Sequence, residues 1–85
     1  MRTFVVYKEA SDHARAVDTF IHDFTRQTGR VIETVNPETP DGAQLCATYD
    51  IVEYPSVVSL DDNGILQNVW RGLPLPTISE VSYYA

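Results

Sequence analysis

Three short stretches of this 85-residue chain hold most of the side chains capable of chemistry. The first is Ser11-Asp12-His13-Ala14, with Lys8 three residues upstream of Ser11. A serine becomes a nucleophile only when a base lies within hydrogen-bond reach and a third group orients that base. Ser11 and His13 stand two apart at a helix start, so they do not share a face, and no orienting group is evident. A helix cap accounts for Ser11, and a solvated ring accounts for His13. The second stretch holds Asp18, His22 and Asp23. Asp18 and His22 lie one helical turn apart, but two ligands on one exposed face do not close a metal site, and solvated charge pairing explains them. The third, Asp61-Asp62-Asn63-Gly64, has the composition of a calcium loop without its ligand spacing or terminal glutamate, and reads as a hairpin turn. The single cysteine, Cys46, excludes an intramolecular disulfide and reads as a small core residue. There is no glycine-rich phosphate loop, and no metal or cofactor is expected.

The elements that must position these residues follow from pattern. Thr3 to Tyr7 is β-branched and aromatic and reads as a buried strand. Ser11 is placed as the N-cap of the next helix, with Asp12 in its first turn, where the helix dipole favours negative charge. Ala14, Val17, Ile21 and Phe24 follow at spacings of three or four, with Phe20 widening the stripe. Gly29 closes a helix over residues 12–28. Val31 to Val35 reads as a second strand. Thr39 or Asp41 caps a short second helix that turns Leu45, Cys46 and Tyr49 inward. Ser56 to Leu60 and Ile65 to Trp70 form a hairpin about Asp62-Asn63-Gly64. Gly72-Leu73-Pro74-Leu75-Pro76 breaks the pattern before a short closing helix within Thr77 to Ala85, with Ile78 and Val81 inward. The order is β-α-β-α-β-β-α, with the first two strands parallel through a right-handed crossover and the last two antiparallel.

The most telling stretch is Val52-Glu53-Tyr54-Pro55-Ser56-Val57-Val58. Proline cannot donate to a sheet ladder, so at the start of a strand it requires special geometry, often a cis bond. Tyr49-Asp50-Ile51 leading into Tyr54-Pro55-Ser56 is similar to the run before the cis-proline of thioredoxins. Trp70-Arg71-Gly72 resembles the glycine-bearing end of their last strand. Tyr7 to Val17 looks like their strand-loop-helix segment, with Ser11 and Ala14 at the places of the two redox cysteines. The chain thus resembles the thioredoxin-like and glutaredoxin-like family and is glutaredoxin-sized. That likeness implies an α/β fold with a four-stranded mixed sheet and helices on both faces, in one domain over residues 1–85. Lys8 resembles a lysine that glutaredoxins set near the glutathione carboxylate. Thr77-Ile78-Ser79 lacks their Gly-Gly-Asp type signature for the glutathione amino end, so a glutathione-binding role rests on Lys8 alone.

Disulfide exchange needs a thiolate at the helix start and a second thiol to resolve the mixed disulfide. Serine and alanine supply neither, so a dithiol oxidoreductase is not expected. Twelve acidic residues against six scattered basic ones give a formal charge of −6, which disfavours unaided binding to nucleic acid or an anionic membrane. One cysteine and no signal-peptide pattern point to the cytoplasm. The expected function is a redox-inactive domain that binds a protein or peptide through the proline loop by strand addition. Lys8, Ser11, Asp12, His13, Tyr54, Pro55 and Gly72 are expected to line that surface. The alternative is a glutathione-linked or other small-molecule enzyme using the helix start at Ser11.

Overall fold

A computed structural model describes residues 2–84 of the chain. The elements are β1 (Arg2–Val6), α1 (Ala14–Thr28), β2 (Glu33–Val35), α2 (Pro40–Tyr49), β3 (Ser56–Leu60), β4 (Leu66–Arg71) and α3 (Ile78–Tyr84). They form one four-stranded sheet in the order β2-β1-β3-β4. β1 pairs parallel with β2 and β3 antiparallel with β4, as the sequence pattern predicts, and β1 pairs antiparallel with β3 at the centre of the sheet.

Strand side chains alternate between two apolar layers, which is the two-residue period of a pleated sheet. On one face Val5, Tyr7 and Val57 meet Val17, Phe20 and Phe24 of α1 and Val81 of α3. On the other, Phe4, Val6, Val58 and Leu60 pack with Cys46 of α2 and Ile51. Burial on both sides explains why β3 is buried at all five positions. Its Ser59 is accommodated by the Thr3 hydroxyl, 3.2 Å from its own.

Helix ends follow from local chemistry at three places and depart from expectation at one. Gly29 takes the left-handed conformation at φ 72° and donates its N–H to the Thr25 carbonyl, ending α1. Thr39, not Asp41, caps α2: its hydroxyl accepts the Gly42 N–H at 3.0 Å, with Pro40 at the first helical position. Thr77 and Glu80 form a reciprocal capping box ahead of α3. Ser11, by contrast, does not cap α1, and Asp12 is not in its first turn. The helix opens at Ala14 with His13 at the N-cap position and no side-chain cap. The Ser11 hydroxyl donates back to the Lys8 carbonyl, so its oxygen is drawn into a turn over residues 8–13.

Strand limits shift for a similar reason. Val31 and Ile65, taken as strand residues, are 80 % and 60 % exposed, and pairing starts only at Glu33 and Leu66. Both apolar residues border turns, where composition no longer reports burial. Asp61 closes the hairpin, its carboxylate accepting the N–H groups of Asn63 and Ile65 at 2.8 and 2.9 Å.

Candidate functional site

β1 and β3 are antiparallel with Val6 opposite Ser56, so the chain beyond β1 emerges beside the chain entering β3. This register brings the turn over residues 8–13 next to Tyr54-Pro55. The Tyr54–Pro55 peptide bond is cis, as is Leu73–Pro74. A third segment completes the place: the Gly72 N–H donates to the Pro55 carbonyl at 2.8 Å, holding the end of β4 against the proline loop. Gly72 has φ 74°, a left-handed conformation suited to glycine, and the Glu53 carboxylate lies beside it.

Pro55 is buried and forms part of the floor. Tyr54 is half-buried, and its ring is gripped from two sides. The Lys8 ammonium sits 5.4 Å from the ring centroid, a cation–π contact. The side chain also packs against the apolar cluster that contains Cys46 of α2. Burial pushes the Cys46 thiol up despite the opposing effect of the nearby Tyr54 hydroxyl. Burial and the neighbouring sulfur likewise raise the Tyr54 phenol. Cys46 is thus held as a buried thiol beneath Tyr54, not as an exposed thiolate.

The turn over residues 8–13 is closed by three bonds. Beside the Ser11 hydroxyl on the Lys8 carbonyl, the Lys8 N–H donates to His13 Nε2 at 3.3 Å and the Ala14 N–H to the Ser11 carbonyl at 3.3 Å. His13 also meets the Tyr7 ring edge-on at 6.4 Å. Ser11 and His13 therefore serve the turn and do not address each other. Lys8, Glu9, Ala10 and Asp12 project from it as exposed residues.

Of the seven residues read from the sequence, Lys8 and Tyr54 touch directly, and Gly72 bonds to Pro55. Ser11 and His13 stiffen the turn that carries Lys8. Asp12 is exposed on that turn and makes no hydrogen bond or ion pair among the described residues. Two apolar residues on the same segments were not foreseen: Val52 and Leu73 are 75 % and 59 % exposed. A valine or leucine in a run of ordinary composition carries no sign of its exposure. Only their closeness to an expected loop offered a hint.

Backbone groups matter here as much as side chains. Among the described residues no backbone hydrogen bond uses the Tyr54 N–H or carbonyl, because pairing with β1 ends at Ser56. The residue before the proline thus presents an unpaired strand-like edge at the surface.

Two clefts lie elsewhere. One, of about 430 Å³, runs between β2 and the start of α2 and is lined by Arg2, Glu33, Thr34, Asn36, Asp41 and Leu45, among others. The second, of about 310 Å³, lies by Arg2, Tyr49 and the hairpin. Arg2 is already committed there, with Nε and Nη2 on the Glu33 carboxylate at 2.9 and 3.1 Å. No group of His, Cys, Asp and Glu suited to a metal ion occurs among the described residues. Asp18 accepts the Tyr7 hydroxyl at 3.1 Å, and Asp23 pairs with Arg26 at 3.2 Å. No helix among the described residues is long and apolar enough to cross a membrane.

No family model matches the chain. Nor does any curated protein match it by sequence. Solved structures do match in shape. Thioredoxin 1 from the thermophilic eubacterium Thermosipho africanus TCF52B superposes with a TM-score of 0.70 over 99 % of this chain and 89 % of its own, at 17 % identity. Thioredoxin O2 from Arabidopsis thaliana, in its oxidized state, gives 0.69 over 96 % and 69 %, at 8 % identity. The likeness lies in the course of the backbone, and by that measure the chain has the thioredoxin fold.

Proposed function

We propose that this domain is a redox-inactive peptide-binding module that takes an extended segment at the Tyr54–Pro55 loop. The observation that carries the reading is the unpaired Tyr54 backbone beside Pro55, at a helix start furnished with Ser11 and Ala14 in place of thiols. An unpaired edge of this kind offers one donor and one acceptor to a strand laid alongside it. Val52 and Leu73, both exposed, supply apolar contacts for alternate side chains of that strand. Ser11 has no base to activate it, since His13 Nε2 accepts from the Lys8 N–H. Cys46, buried under Tyr54, has no second thiol in the chain.

Two measurements test this. Titration of the ¹⁵N-labelled protein with short extended peptides is expected to move the Tyr54 and Gly72 amides first. Shifts confined to the Arg2–Glu33 cleft would count against the groove. Added to insulin and dithiothreitol, the protein is expected to leave the reduction rate at that of dithiothreitol alone; acceleration would remove the redox-inactive part of the reading.

A further inference from the structure

The three segments that form the groove, 8–13, 50–55 and 71–74, carry four carboxylates (Glu9, Asp12, Asp50, Glu53) against two cations, Lys8 and Arg71. Both cations are already engaged within the chain. Lys8 lies over the Tyr54 ring at 5.4 Å, and Arg71 Nη2 reaches the Asp50 carbonyl at 3.5 Å. The four carboxylates, in contrast, make no ion pair among the described residues; the pairs present are Arg2–Glu33 and Arg26–Asp23. Glu9 and Asp12 are exposed on the 8–13 turn and Glu53 is exposed beside Gly72, with exposed Val52 and Leu73 on the 50–55 and 71–74 segments.

Resting on the groove reading above, we infer that the occupant is an extended peptide with a large apolar side chain flanked by lysine or arginine. The apolar residue covers surface that Val52 and Leu73 leave in water, and the flanking cations meet the carboxylates of the 8–13 and 50–55 segments. An acidic peptide would instead place like charges against Glu9, Asp12 and Glu53, a disfavoured arrangement reinforced by the overall charge of −6. A second copy of this chain is disfavoured on the same ground. Lys8 competes with the incoming cations for the Tyr54 ring face, so its removal favours the peptide.

Three labelled heptapeptides sharing a Val-Leu-Val centre, with lysine, glutamine or glutamate flanks, test the inference. The lysine-flanked peptide is expected to bind roughly tenfold tighter than the glutamine one at low ionic strength, as a few exposed charge pairs allow. That advantage is expected to shrink as salt rises. A Glu9→Gln, Asp12→Asn, Glu53→Gln variant is expected to erase the preference while the Tyr54 amide still shifts, and Lys8→Met to strengthen lysine-peptide binding. Equal affinity for all three, or tightest binding of the glutamate-flanked one, with Tyr54 and Gly72 shifting, overturns the charge preference and leaves the groove standing. No shift at Tyr54 with any of the three overturns the groove itself.

Discussion

Gly72 shows how a single residue couples backbone conformation to the groove. At φ 74° an L-residue brings its Cβ against the backbone, at roughly 1–2 kcal/mol. An added Cβ would also come within 2.7 Å of Glu53 Oε2, but that carboxylate is the free end of a flexible side chain and can swing away. The strain therefore belongs to the backbone and not to the contact. Gly72→Ala is expected to cost about 1–2 kcal/mol in urea unfolding. Combining it with Glu53→Ala is expected to recover none of that loss. A recovery of most of it would mean that the contact dominates. Tyr54 illustrates the opposite case, a side chain read as groove rim that turns out to be anchored, packed against the Cys46 cluster with its ring under Lys8. Nothing in a Tyr-Pro dipeptide announces either partner, because Cys46 and Lys8 are brought there by α2 and by the turn after β1.

Among the elements, α1 and α2 begin in different ways. α2 has the full chemistry of a helix start: Thr39 extended at ψ 155°, its oxygen on the Gly42 N–H, and proline next. Thr39→Ala is expected to destabilise the domain by about 1 kcal/mol, read from the denaturation midpoint at unchanged slope. Ser11→Ala is expected to act differently, since Ser11 donates to a carbonyl and satisfies no helix N–H. Its loss should loosen the 8–13 turn, with exchange of the Lys8 amide rising more than exchange within α1. Equal increases across α1 would reinstate the serine as a cap. The apolar stripe of α1 was fully legible because Ala14, Val17, Phe20, Ile21 and Phe24 repeat at helical spacing and all meet the same face. The start of the helix was not, because serine is equally able to accept from a helix N–H or to donate to a nearby carbonyl.

At the scale of the molecule, two phenols raised above their ordinary value make stability decline at high pH. Tyr7 is held above the ordinary tyrosine value, first by burial and then by its hydrogen bond to Asp18. Tyr54 is raised by burial and by the adjacent Cys46. A raised acid keeps its proton in the folded state when the unfolded chain has lost it. Stability is therefore complete below the unfolded tyrosine value of about 10 and falls as pH rises through the folded values. Tyr7→Phe is expected to flatten that alkaline decline, measured as denaturation midpoints from pH 8 upward. An unchanged slope would exclude Tyr7 as a source. In so small a domain, with one thin apolar layer on each face of its sheet, even a modest slope is measurable.

By itself the chain spelled out what short-range periodicity and turn chemistry control. The element order, the α1 stripe, the Gly29 stop, the Asp61–Gly64 hairpin and the peculiarity of Pro55 are all local facts, settled by dihedral limits and spacing. It also spelled out an absence, thiols missing from positions 11 and 14. Only the tertiary structure decided which hydroxyl caps which helix, that Lys8 covers Tyr54, that Cys46 lies beneath it, and that Val52 and Leu73 remain in water. Each of these depends on which segments the sheet register brings side by side, and burial and hydrogen-bond choice are properties of neighbours rather than of residue types.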